Sequence, residues 1–106
     1  SPIYFDFDQS FVRPADRGTL QEVAAHLAAN PSDQLLVEGH CDWRGTTEYN
    51  LALGGRRANS VIAYLEQLGV SSDRLETVSK GDLDAMTEAT EDQMRLDRRG
   101  DLIIVR

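Results

Sequence analysis

Residues 3–8, IYFDFD, alternate cleanly between apolar and polar positions. Ile3, Phe5 and Phe7 fall on one side and Tyr4, Asp6 and Asp8 on the other, the period of a half-buried strand. Pro14 then stands where a helix can begin, and Leu20, Val23, Leu27 and the alanines between them form one helical stripe closed by Asn30-Pro31. Residues 35–42, LLVEGHCD, read as a second strand, with Leu35, Val37, Gly39 and Cys41 on one face and Leu36, Glu38, His40 and Asp42 on the other. A second helix is predicted over residues 46–68, with Leu53, Val61, Leu65 and Leu68 on its stripe and Gly69 just past its end. Gly54-Gly55 inside that pattern would cost about 2 kcal/mol relative to alanines, so the helix is either kinked there or closely approached by another segment. Residues 75–79 read as a short strand, and the apolar run 102–105 as a strand central in the sheet. Between them, residues 82–92 hold five acidic and no basic side chains and carry no clear period. The order β-α-β-α-β-(irregular)-β predicts an α+β, two-layer sandwich: a small mixed sheet with two main helices on one face.

A chain of 106 residues, 41% hydrophobic and 27% charged, has the size and composition of one globular domain. No run approaches the roughly 18 apolar residues of a membrane span, and no targeting signal opens the chain. The formal charge of −7 disfavours nucleic acid, whose phosphates reward basic surfaces, and anionic lipid headgroups alike. Ten of the eleven basic residues are arginine and Lys80 is the lone lysine, a bias of codon usage or a selection for forked carboxylate recognition. Cys41 has no second cysteine to pair with, and its alternation makes it a small core residue. His26 reads as a surface or boundary residue. Trp43, flanked by polar residues, is open as a buried anchor, a protein contact or, preferred here, an exposed stacking surface.

The stretch VEGHCDWRGTTEYNLALGGRRANSVIAYL, residues 37–65, resembles the peptidoglycan-binding domain of the outer membrane protein A family, and within it most resembles the peptidoglycan-associated lipoprotein branch. The family's N-x-x-L-S-x-x-R-A-x-x-V-x-x-x-L pattern is met by Asn50, Leu53, Arg57, Ala58, Val61 and Leu65, with Gly54 at the serine position. Its D-x-R-G-T run is met by Asp42, Arg44, Gly45 and Thr46. The opening YFDFD and the D-R-R before the last strand also fit, so that the resemblance implies a single such domain over residues 1–106. Three positions depart from the pattern. Asp97 replaces the usual asparagine before the paired arginines, Ser79-Lys80-Gly81 replaces S-Y-G or G-Y-G, and the acidic 82–92 segment replaces a proline-containing loop.

The resemblance implies recognition of diaminopimelate in the peptidoglycan stem peptide, without a cofactor. Asp42 would accept from the ammonium and Arg57 would grip the carboxylate through parallel N–H bonds. Asp8 matches a further contact position, and Arg44 would touch the stem peptide or close the loop. Thr46 and the first helical amides would add donors, Asn50 can donate and accept, and Leu53 would form an apolar wall. From spacing alone, a buried Asp42–Arg57 ion pair with no ligand is an equal alternative. Glu38, His40 and Asp42 also share a strand face, but a flat strand spaces them about 6–7 Å apart, so no metal is expected there.

The main expectation is therefore a non-catalytic module that tethers an envelope protein to the wall in the periplasm, associated with the outer membrane through an anchor upstream of this chain. The second is a docking domain for protein partners, such as envelope translocation proteins, using Trp43 and the acidic segment. The third is a metal-dependent peptidoglycan hydrolase using Glu38, His40 and Asp42, for which no turnover is expected.

Overall fold

The computed structural model describes residues 2–106. Among these residues four strands form one mixed sheet: β1 (Ile3–Tyr4), β2 (Gln34–His40), β3 (Leu75–Gly81) and β4 (Arg99–Val105), in the spatial order β1-β4-β2-β3. β2 is parallel to β3 and antiparallel to β4, and β1 is antiparallel to β4. Helices α1 (Arg17–Ala29) and α2 (Thr47–Gln67) pack on the sheet, and a short α3 (Glu91–Asp97) precedes β4. This is the α+β two-layer sandwich that the periodicity predicts. Its core joins Ile3 and Phe5, Leu20 and Leu27 of α1, Leu35 and Val37 of β2, and Ala58, Val61 and Leu65 of α2.

Local chemistry sets the ends of α2. The Thr46 hydroxyl accepts from the Tyr49 amide at 3.1 Å, capping the helix start. At the other end Gly69, at φ +96°, lets its own amide reach the Glu66 carbonyl at 3.0 Å and the Val70 amide reach Leu65 at 3.1 Å. That pair of bonds closes the helix, and Val70 and Leu65 meet in the core beneath it. Leu68, placed on the apolar stripe by its spacing, instead lies at the C-cap and is exposed, because the chain has already begun to turn there.

The Gly54-Gly55 pair is resolved as a close approach within a continuous helix. A Cβ on Gly39 would overlap the Gly54 carbonyl oxygen, and one on Gly54 would overlap Ser79 Oγ and lie 2.8 Å from the Gly39 carbonyl oxygen. Helix and strand therefore touch backbone to backbone, which seats α2 deep over β2 and β3.

Three strand readings change. The first strand is short: Phe5 still pairs with Arg98, its amide 2.9 Å from that carbonyl, but Asp6–Gln9 form a turn closed by Gln9 N to Asp6 O at 3.1 Å. Ile3 and Phe5 are buried as expected, whereas Phe7 is 57% exposed. The cause is Arg57, which holds the carbonyls of both Asp6 and Gln9 and bends the chain off the sheet. β2 ends at His40 rather than Asp42, at a bulge between Gly39 and His40. β4 is second in the sheet, but β1 pairs only with Arg99 and Gly100, so residues 102–105 have one neighbour, and Ile103 and Val105 point outward and are exposed. The acidic segment passes through turns into α3, where the Thr90 hydroxyl caps by accepting from the Gln93 amide at 3.2 Å.

Candidate ligand-binding site

A pocket of about 110 Å³ opens where the end of β2, the start of α2 and the Asp6–Gln9 turn meet. Its walls include Asp8, Asp42, Arg44, Asn50, Leu53 and Arg57 from the sequence reading, together with Phe7, Cys41, Gly45 and Tyr49. Thr46 is outside it: its hydroxyl is committed to the cap of α2.

Arg57 is one of the most buried side chains in the molecule, at 1% exposure. It carries its charge on three carbonyls: Nε donates to Gln9 O at 2.8 Å, Nη1 to His40 O at 2.9 Å and Nη2 to Asp6 O at 3.1 Å. No carboxylate forms an ion pair with it among the described residues, so the Asp42–Arg57 pair that spacing alone allowed is not formed. Burial pushes its pKa below the ordinary arginine value, opposed by nearby negative groups, and a guanidinium stays protonated in proteins regardless.

Asp42, 4% exposed, is held elsewhere. Oδ1 accepts from the Arg44 amide at 3.0 Å and from Arg44 Nε at 3.2 Å, while Oδ2 accepts from Arg44 Nη2 at 2.9 Å and Arg98 Nη1 at 3.3 Å. Burial works against the carboxylate, but the hydrogen bonds from Arg44 and Arg98 outweigh it and hold its pKa below the ordinary aspartate value. Arg98 is the residue that spacing did not place in the site. It is buried, and its Nε donates to Phe5 O at 3.0 Å, so one side chain braces both the segment just after β1 and Asp42. The paired arginines before the last strand were its available signal.

At the rim, Asp8, Arg44 and Tyr49 are more exposed. Arg44 is a third exposed and lies over the Phe7 ring, 4.0 Å from its centroid. Asp8, at φ 57°, accepts from the Tyr49 hydroxyl, and this bond raises the Tyr49 pKa. Asn50 Nδ2 donates to Arg44 O at 2.9 Å, fixing the loop. The Cys41 thiol donates to Asn50 O at 3.3 Å, and its pKa is pushed up to about 11, chiefly by burial. It is a core thiol, as its alternation indicated.

Of the remaining singled-out residues, Trp43 is half-buried rather than an open stacking surface, with Nε1 buried and unpaired. His26 sits at the boundary, its Nε2 2.9 Å from Asp33 Oδ2. Asp42 does not join Glu38 and His40: it turns into the pocket. Asp97 is buried and accepts from the Met86 amide at 3.2 Å and Gln93 Nε2 at 3.0 Å, tying the acidic segment to α3.

Residues 4–99 match the OmpA family. Similar proteins include the peptidoglycan-associated lipoprotein of Rhizobium meliloti, 46% identical over 79 residues covering 74% of this chain and 45% of that protein. That of Haemophilus influenzae is 46% identical over 80 residues, covering 76% of this chain and 52% of that protein. The chain thus spans about half the length of these relatives. Among solved structures, the peptidoglycan-associated lipoprotein from Burkholderia pseudomallei superposes with a TM-score of 0.93 at 38% identity, covering 98% of this chain and 89% of that one. The C-terminal domain of Helicobacter pylori MotB shares the fold, with a TM-score of 0.86 at 20% identity over 100% of this chain and 84% of that one. The nearly full-length family match, joined to this identity and this superposition, establishes that the chain belongs to the OmpA family.

Proposed function

We propose that the pocket seats the free amino-acid head of a diaminopimelate residue in the peptidoglycan stem peptide, and that the domain thereby ties an envelope protein to the wall in the periplasm without catalysis. The observation that carries this reading is Arg57: a fully buried guanidinium on the pocket wall whose hydrogen bonds all go to backbone carbonyls. Arg44 is forked on Asp42 and Arg98 pairs with Asp42 and Glu91, which leaves Arg57 as the pocket-lining guanidinium without a carboxylate ion pair among the described residues. A ligand carboxylate on the donors Arg57 has to spare supplies that missing partner. The ligand ammonium goes to Asp42 by replacing Arg44, whose half-open position over Phe7 makes it the movable cover. Asp8, Asn50 and Leu53 line the approach. The names of the relatives, which associate those proteins with peptidoglycan, support the ligand class.

Calorimetry with a muropeptide carrying uncrosslinked diaminopimelate tests this. Arg57→Ala is expected to lose roughly 2–5 kcal/mol of affinity, as for removal of a desolvated charge contact. Arg57→Lys also loses affinity, because a point charge cannot reproduce the fork. Asp42→Asn weakens binding, whereas Arg44→Ala leaves it within a few fold. Unchanged affinity in both folded Arg57 variants would remove the assignment.

A second reading has its own observation. Leu83, Met86 and Leu96 are exposed apolar side chains on the acidic segment and α3, the composition of a protein-docking surface. Failure to sediment with intact sacculi, with an envelope protein partner still captured, would favour it.

A further inference from the structure

The outer face of the sheet, opposite α1 and α2, carries a separate cluster. Glu38 and His40 reach it from β2, and Asp101 reaches it from β4 as the in-register partner of Glu38. The three donor atoms lie within 4.8 Å of one another. His40 is 2% exposed, and its Nε2 makes no hydrogen bond among the described residues, although Asp101 Oδ2 lies 3.3 Å and Glu38 Oε1 3.6 Å away. A buried ring nitrogen left unpaired between two carboxylates calls for an explanation. So do the carboxylates themselves, since like charges directly opposite on antiparallel strands destabilise the pair. Arg99 Nε answers for part of Asp101, at 3.0 Å from Oδ1, which leaves Oδ2 facing His40. Among the described residues Glu38 has no arginine or lysine partner.

We propose that Glu38, His40 and Asp101 form a divalent-cation site of the zinc class. One imidazole nitrogen with two carboxylate oxygens is a zinc donor set with an open fourth position. Metal–ligand bonds of about 2.0–2.2 Å at tetrahedral angles place ligand atoms about 3.3–3.6 Å apart, which the two distances from Nε2 meet. A neutral imidazole and two carboxylates leave a double negative charge that a divalent ion neutralises. Glu38 and Asp101 keep 20% and 31% side-chain exposure, so the ion has a route in. Asp84 Oδ2, 3.9 Å from Nδ1, stands where a small shift lets it orient the ring from behind. The ion would clip β2 to β4 beside the bulge at Gly39/His40. A strand reading alone points to Asp42 as the third donor; the donor comes instead from the neighbouring strand.

The test is titration of the chelator-stripped chain with zinc chloride, followed by calorimetry and thermal unfolding. One zinc per chain is expected, with an upward shift in Tm. His40→Gln and Asp101→Asn should each lower the affinity at least about tenfold, and His26→Gln, whose ring lies against Asp33, should leave it unchanged. In the unaltered chain the ring resonances of His40, not those of His26, should move on zinc addition, a readout that needs no variant to fold. Absence of stoichiometric uptake overturns the proposal. Uptake that survives His40→Gln, or that shifts only His26, overturns it equally.

Discussion

Adjacent glycines in one helix make opposite predictions. Gly→Ala in a helix interior ordinarily gains about 1 kcal/mol. At Gly55 a Cβ would meet nothing within 4 Å, so Gly55→Ala should stabilise the chain by about 0.5–1 kcal/mol. At Gly54 the same methyl would strike Ser79 Oγ and stand 2.8 Å from the Gly39 carbonyl oxygen. Neither neighbour yields easily. The Ser79 hydroxyl donates to Leu51 O at 2.6 Å, and β2 is paired on both sides. Helix α2 must lift instead. Overpacking of this kind costs about 1–3 kcal/mol, the lost Ser79 bond adds about 1 kcal/mol, and helix propensity returns about 1 kcal/mol. Gly54→Ala should therefore destabilise by about 1–3 kcal/mol, opening a gap of about 1.5–4 kcal/mol between the two variants. Urea denaturation with equal slopes measures that gap directly. Lifting α2 also withdraws Arg57, one turn further along, so Gly54→Ala should weaken muropeptide binding and Gly55→Ala should not. Two variants of equal stability would refute the backbone contact as the reason for the glycine.

Three further outcomes follow from the site. The folded-state pKa of Asp42 is depressed, so its contribution to stability is fully present above the ordinary value of 3.8 and is lost as pH falls below it towards the folded value. Acid titration of stability should show a step in that range that Asp42→Asn abolishes, and ligand binding at pH 5 should match that at pH 7. The Cys41 thiol, buried and with its pKa near 11, should resist alkylation at pH 8 in the native chain and react fully in urea. Asp97→Asn keeps one acceptor of two, so hydrogen exchange at the Met86 amide should rise and stability should fall by about 0.5–1.5 kcal/mol; an unchanged Met86 amide would show that Asp97 does not fasten the acidic segment.

The parts of the fold legible in the sequence are those governed by short-range periodicity and caps. The α2 stripe, its Gly69 end and the 75–79 strand required only neighbours along the chain. The end of the first strand was illegible because it is set by Arg57, 48 residues beyond Gln9, which captures two carbonyls and turns Phe7 outward. Helix α3 was missed although Thr90 and Gln93 stand at capping-box spacing, because five acidic side chains and no apolar stripe masked the signal. In the site, the motif located the pocket-lining residues but not their partners. Asp42 and Arg57 do share one pocket, yet each is held by groups that spacing does not reveal: Arg98, 56 residues from Asp42, and the carbonyls of a turn.

Those partners also explain the excess of arginine better than codon usage or carboxylate recognition alone. Arg44 does grip Asp42 as a fork, Nε on Oδ1 and Nη2 on Oδ2. Arg57, Arg74 and Arg98 instead direct donors at backbone carbonyls of distant segments. Arg74 takes Leu27 O at 2.8 Å and Asn30 O at 2.9 Å at the end of α1, and Asp33 O ahead of β2, satisfying acceptors that the helix leaves open. Arg98 takes Phe5 O, and Arg57 takes two carbonyls of the Asp6–Gln9 turn and that of His40 at the end of β2. A planar guanidinium can address several carbonyls that diverge in direction, which a single ammonium on a flexible stem cannot do from one position. Carbonyls satisfy donors without cancelling charge. An arginine used as a structural brace in this way therefore keeps its positive charge, and where the brace borders a cavity, as Arg57 does, the same bonds that hold the fold would supply the anion seat of the proposed function.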